Sequence, residues 1–162
     1  MIFSPHIVVG AVIGAKIHNL GLIIILGLLT HFIMDKIPHW DYLWPGVKNF
    51  KKTKNFNGLF SDLLKMAADG TFGFLIVFLA SWHGNFLNFD YLPFIIFGVF
   101  ISLLPDITIG LSWLLTGRAT RYVRFLEKYH YFKENEKEGK ITFLNISTEI
   151  LVIIVAIIIL FS

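Results

Sequence analysis

Five long apolar runs constrain this chain more than any other feature of it. They cover roughly residues 4–15, 20–37, 61–82, 92–115 and 141–161, with short polar or basic segments between them. A membrane-crossing helix needs about 20 consecutive apolar residues. The balance of residues agrees with that setting: 56% are hydrophobic and 15% charged, where a soluble domain carries about 25% charged residues. The expected fold class is therefore all-α, a polytopic membrane helical bundle of about five transmembrane helices, forming a single integral membrane domain over residues 1–162. There is no cysteine, which excludes disulfides and thiolate zinc sites. The first lysine is Lys16, so the first run lacks the basic start of a signal peptide and is read as mature structure.

The first two runs are expected to form a short hairpin. Gly10 and Gly14 stand in the G-x-x-x-G spacing that lets helix backbones approach closely in lipid. Lys16, His18 and Asn19 then interrupt the apolar pattern and Gly21 follows, which places a turn over residues 17–21. One continuous helix over residues 7–36 would instead put three polar residues at mid-membrane. The second helix should stop at Pro38, which has no N–H and disfavours helical geometry in the residue before it. Residues 41–61 read as a connector. It starts with the interfacial rings Trp40, Tyr42 and Trp44, continues through Lys48, Lys51, Lys52 and Lys54, and turns at Asn55 and Asn57-Gly58. The 83–90 loop has no lysine or arginine, whereas residues 36–65 and 117–140 hold nearly all the cations. The positive-inside rule then puts the basic segments and the N-terminus in the cytoplasm and the C-terminus outside, in a bacterial inner membrane.

Chemistry-bearing side chains gather on the basic side of this topology. His31 and Asp35 are i and i+4, on one helix face, where imidazole and carboxylate can share a metal ion or the carboxylate can orient the ring. Pro38 can swing His39 and Asp41 back toward the same point. Nitrogen and oxygen donors without thiolate suit Zn²⁺, Mn²⁺ or Fe²⁺. The plainer account is that Asp35 pairs with a lysine such as Lys36 and that His39–Tyr42 is an interfacial belt. Asp62 and Asp69 share a face of the third helix, with Lys65 in reach of either and Asp62 suited to an interfacial or N-cap role. Asp106 lies in an otherwise apolar helix beside Pro105, which frees a backbone carbonyl one turn back; a broken membrane helix with an acid at the break is a recurrent way to build a site. His6 follows Ser4-Pro5, an N-cap and N1 pair. Asn145, Thr148 and Glu149 form one polar stripe on the last helix, with Glu149 read as a buried polar contact in preference to a ligand. The stretch from Arg118 to Lys140, with Tyr122, Tyr129, His130 and Tyr131, reads as a solvated basic loop that fixes topology, lipid phosphate being the alternative ligand.

His6, the His31-x-x-x-Asp35-x-x-Pro38-His39-Trp40-Asp41 stretch and Leu104-Pro105-Asp106 resemble small bacterial integral-membrane proteins labelled membrane-bound metal-dependent hydrolases. The likeness covers the first four helices and, loosely, Phe125–His130. A fainter likeness of Leu-Pro-Asp is to zinc-dependent phospholipase C. Thr108 stands where some members of the hydrolase group carry a second acid, and their His…Thr-His-Ser motif is missing. A subgroup that builds its site from His6, His31 and His39 would accommodate both departures.

Together these readings predict a metal-centred pocket at the cytoplasmic face. His6, His31, Asp35 and His39 are the expected ligands of a divalent ion, zinc favoured. Asp41, Asp69 and Asp106 are the expected catalytic carboxylates, as further ligands, ligand partners or general base. The expected reaction is hydrolysis of a lipid or phosphoester, and the expected partner is membrane lipid rather than nucleic acid. Two other readings keep the same residues without that chemistry: an ion or proton path, and a helical assembly factor in which His and Asp only pack helices.

Overall fold

The structure is a computed structural model that describes residues 1–83, 90–118, 120–130 and 142–162, with 127–130 as helical backbone. Most of the 83–90 loop, and the side chains from Lys128 to Lys140 with His130 among them, lie outside the described residues.

The regular structure described is entirely helical: α1 (Phe3–Lys16), α2 (Leu20–Met34), α3 (Pro45–Thr53), α4 (Phe56–His83), α5 (Leu92–Thr116), α6 (Arg121–His130) and α7 (Phe143–Phe161). Among the described residues, α4, α5 and α7 are long and apolar enough to cross a membrane, while α1 and α2 are shorter apolar helices. Large apolar side chains such as Phe72, Phe74, Leu75 and Leu79 on α4 and Ile150, Leu151 and Ile158 on α7 face outward. That surface would be an aggregation hazard in water and is the normal exterior of a bundle in lipid.

The shortest of the apolar helices is the centre of the bundle. α1 packs against α2, α4, α5 and α7. Ile7 and Ala11 meet Ile95 and Val99 of α5, and Val8 and Val12 meet Ala156 and Leu160 of α7. Gly10 and Gly14 bring α1 onto α5: a methyl group added at Gly10 would lie 2.6 Å from the Gly98 carbonyl oxygen, and one at Gly14 would meet the Phe94 carbonyl. Gly14 by Phe94 and Gly10 by Gly98 make the two helices antiparallel.

The 17–21 turn of the expected hairpin is present. Asn19 caps α2, its Oδ1 accepting from the Leu22 N–H at 3.1 Å. α2 ends at Met34 rather than at residue 37. The chain tightens first, with Lys36 N–H donating to Ile33 O and Ile37 N–H to Met34 O, both at 3.1 Å, because the residue before Pro38 disfavours the α region. Two further helices occupy segments read as connectors. α3 packs on α4 and α5 and closes in the left-handed region at Lys54, φ 53°. α6 inserts Val123 and Leu126 against Ile109, Phe32, Trp44 and Trp113. The helix that was expected from residue 61 starts at Phe56, where the Asn55 side chain accepts from Gly58 N–H at 3.1 Å. α5 runs unbroken through Pro105, so the expected helix break is absent.

Candidate metal centre

The site forms where α1, α2 and α5 meet. His6 belongs to the first turn of α1, His31 to the last turn of α2, and Asp35 is the C-terminal cap residue of α2. All three side chains are fully buried, and Asp106 on α5 is 8% exposed. Ser102 is ten residues from the start of α5 and fourteen from its end, about 15 Å and 21 Å along the axis. The centre therefore lies level with the middle of α5, at the start of α1 and the end of α2.

The His31 ring has its protonation geometry set by one contact. Nδ1 lies 2.7 Å from the Ser102 backbone oxygen. A carbonyl only accepts, so Nδ1 carries the hydrogen and a neutral ring keeps its lone pair on Nε2. That Nε2 is 3.0 Å from Asp35 Oδ2. Two electron-rich atoms at this distance call for a positive charge between or beside them, either a proton or a metal ion. The His6 ring stacks on His31 with centroids 4.3 Å apart and planes 29° apart. Its Nε2 is 3.2 Å from Asp35 Oδ1, and its Nδ1 is buried without a hydrogen-bond partner among the described residues. One donor atom each from His6, His31 and Asp106 lie within 4.8 Å of one another, a group able to hold a metal ion. Ligands about 2.1 Å from a common ion sit at most about 4.2 Å apart, so the three donors have to draw together only modestly. A metal-ligating histidine whose other ring N–H is fixed by a backbone carbonyl is the usual arrangement at such centres, and His31 has it.

A second positive group is already in place. The Met1 ammonium donates to Asp35 Oδ1 at 2.8 Å and is 4.0 Å from Asp41 Oδ2. Burial favours its neutral form, but Asp35, Asp41 and Asp106 more than offset that and hold its pKa up at about 10.

The other expected site residues divide by position. Asp41 is partly exposed beside the Met1 ammonium, accepts from Tyr42 N–H at 2.8 Å, and shares a small cleft with Phe3, Tyr42, Trp44, Met66 and Asp106. Asp69 faces the N-terminus of α1: its Oδ2 accepts from Phe3 N–H at 2.5 Å and Ser4 N–H at 3.3 Å. His39 turns onto its own backbone, Nδ1 donating to Ile37 O at 2.7 Å, and is not in the His6–His31–Asp106 group. Asp62 Oδ2 caps α3 through Gly46 N–H at 2.6 Å and Val47 N–H at 3.2 Å, while Lys65 donates to its Oδ1 at 3.1 Å. The polar stripe of α7 grips the turn after α2. Glu149 accepts from Trp40 N–H at 2.9 Å, and the Thr148 hydroxyl donates to Pro38 O.

Three contributors were not anticipated: the Ser102 carbonyl, the Met1 ammonium and the Tyr42 hydroxyl. Ser102 stands one turn before Asp106, the only legible hint of its place. The Tyr42 ring packs edge-on against Phe3 and Trp40. Its hydroxyl is buried with no hydrogen-bond partner among the described residues. Burial first, then the carboxylates of Asp69, Asp41 and Asp106, push its pKa well above the ordinary tyrosine range. It is a protonated donor at any physiological pH.

No protein-family model, curated protein or solved structure matches the chain. The resemblance to membrane-bound hydrolases thus rests on His6, the His31-x-x-x-Asp35-x-x-Pro38-His39-Trp40-Asp41 stretch and the Leu104-Pro105-Asp106 motif alone.

Proposed function

We propose that the protein is a membrane-embedded metal-dependent hydrolase of the bacterial inner membrane. The observation that carries this is the His31 geometry: Nδ1 is committed to the Ser102 carbonyl while Nε2 faces Asp35, with donors of His6 and Asp106 close by. In this reading His6, His31 and Asp106 hold a divalent ion, with zinc favoured by the nitrogen and oxygen donors, and Asp35 orients both rings. Bound there, such an ion polarises an ester or phosphoester and lowers the pKa of a water. Asp41, at the partly exposed edge of the cleft, is the residue placed to take a proton. The Tyr42 hydroxyl donates to an oxygen on which charge develops. Asp69 keeps the start of α1, and so His6, in position. A lipid or phospholipid-like ester is the substrate class that reaches a site at this depth.

The proposed topology has five spans, with the N-terminus cytoplasmic and the C-terminus outside. α1 has only 14 residues, about 21 Å of helix, but it is enclosed by α2, α4, α5 and α7. A helix shielded from lipid by its neighbours need not match the bilayer thickness by itself.

One observation favours the non-enzymatic reading. The Met1 ammonium already pairs with Asp35, so a buried ammonium–carboxylate–imidazole network could stand as helix packing alone. An ion path has less support, because the first half of α5, Leu92 to Ile101, contains no polar side chain. Metal analysis of detergent-purified protein separates the first two readings. The hydrolase reading expects about one divalent ion per chain in the wild type and loss of it in His31→Ala and Asp106→Ala. A folded wild type that takes up no metal when supplied with zinc or manganese would leave the packing network.

A further inference from the structure

We propose that the groove between the α1–α2 hairpin and α7 binds one acyl chain of an anionic phospholipid, with the phosphate at Lys16. α2 and α7 both lean on α1, and between them runs a groove of about 430 Å³, lined by residues such as Val12, Ile13, Met34, Val152 and Ile159. That size falls in the ordinary range for small-molecule sites, about 300–1,000 Å³.

Its chemistry is that of an amphiphile's mould. Of the residues around it only Thr30 and Lys16 are polar. The Thr30 hydroxyl donates within its own helix, to Leu26 O at 2.7 Å and Gly27 O at 3.2 Å, so its proton is already committed and the length of the groove offers a ligand no side-chain donor. Its rims, Ile33 on α2 and Leu151 and Val155 on α7, are exposed apolar residues. In a bilayer that mouth opens onto hydrocarbon, and a lipid chain is what meets it. The cation stands at one end: Lys16 is exposed in the last turn of α1. An apolar trough with its positive charge at one end fits a hydrocarbon tail joined to a phosphate.

The proposal does not rest on the metal reading: Thr30 and Met34 at one end of the groove flank His31 and Asp35 on α2, but the phosphate end is remote from them. Lys16 is ten residues from His6 on the same helix, about 15 Å along its axis.

Native mass spectrometry of the detergent-purified full chain, titrated with phosphatidylglycerol or phosphatidylcholine of the same acyl composition, tests the proposal. One phosphatidylglycerol should bind about fivefold more tightly than phosphatidylcholine, the contribution of one lysine at an anionic lipid. Lys16→Gln should remove that preference and leave phosphatidylcholine binding unchanged. Val152→Trp, which fills the groove, should weaken both lipids several-fold. Ile154→Trp, on the same helix but outside the groove, should weaken neither, and equal melting temperatures show that both tryptophan variants are folded. Unchanged lipid binding in a folded Val152→Trp would overturn the proposal. So would a dimer that Val152→Trp dissociates, since the groove would then hold a second copy of the chain.

Discussion

At the residue scale, the tyrosine beside the cleft carries the sharpest consequence. A buried hydroxyl without a partner contributes no hydrogen bond and loses its hydration, so removing it costs little. Tyr42→Phe should therefore leave the melting temperature unchanged or slightly raised and should leave metal content intact. If Tyr42 donates to the reacting oxygen, the same variant should lower the turnover of a phosphoester substrate by about 10²-fold, as losing one such donor does elsewhere. A hydroxyl that mattered only for packing would give the opposite pattern, reduced stability with turnover preserved. His31 makes a related point about how a ring is specified. Its apolar neighbours do not choose the tautomer; a single carbonyl from α5 does, and the carboxylate one turn along its own helix receives the other nitrogen.

At the element scale, α4 acts as a clamp for two short helices. Asp62 and Asp69 are seven residues apart on one face, and they cap the N-termini of α3 and α1 in turn. Neither helix caps itself with a side chain. Unsatisfied N–H groups at a helix start are costly to bury, so these two carboxylates supply locally what the short helices lack. This also explains what could be read in the sequence and what could not. The α1–α2 hairpin was legible because Lys16, His18 and Asn19 break an apolar run, whereas the G-x-x-x-G spacing of Gly10 and Gly14 was equally compatible with glycine as ordinary membrane-helix filler until the structure packed both on α5. α3 was not legible, because its capping acid lies fifteen or more residues away and its lysines resemble a loop. The meeting of His6, His31, Asp35 and Asp106 could be anticipated from spacing and charge, but the Ser102 carbonyl could not, since every residue has one. The close approach of α1 and α5 yields a paired expectation. A methyl group at Gly98 would collide with the Gly10 carbonyl, whereas one at Gly70 has only Ile7 Cδ1 near it, at 3.9 Å. Gly98→Ala should destabilise the detergent-solubilised protein markedly and, by separating α1 from α5, lower its metal content. Gly70→Ala should be neutral or stabilising by up to about 1 kcal/mol, the helix-interior gain of alanine over glycine. Thermal unfolding followed by circular dichroism compares the two, and equal melting temperatures would contradict the packing described.

At the scale of the whole molecule, the number of crossings between two points decides which side of the membrane each faces. From Asn57, in the first turn of α4, to Ser162 the chain runs through α4, α5 and α7, among the described residues the three helices long and apolar enough to span. An odd number of crossings puts the two residues on opposite faces, whatever the absolute orientation. The positive-inside rule adds the sign: Lys48, Lys51, Lys52 and Lys54 beside Asn57 favour the cytoplasm for that end. The absence of native cysteine makes the test direct, because any thiol introduced is the only one present. A membrane-impermeant maleimide should label Ser162→Cys in intact cells, and Asn57→Cys only after the membrane is opened. Both residues are exposed on the protein, so access depends on the membrane rather than on burial. The reverse pattern would keep the three crossings and invert the orientation. Labelling of both in intact cells, or of neither, would mean that one of the three long helices does not cross, and the bundle would then have to lie partly within one leaflet.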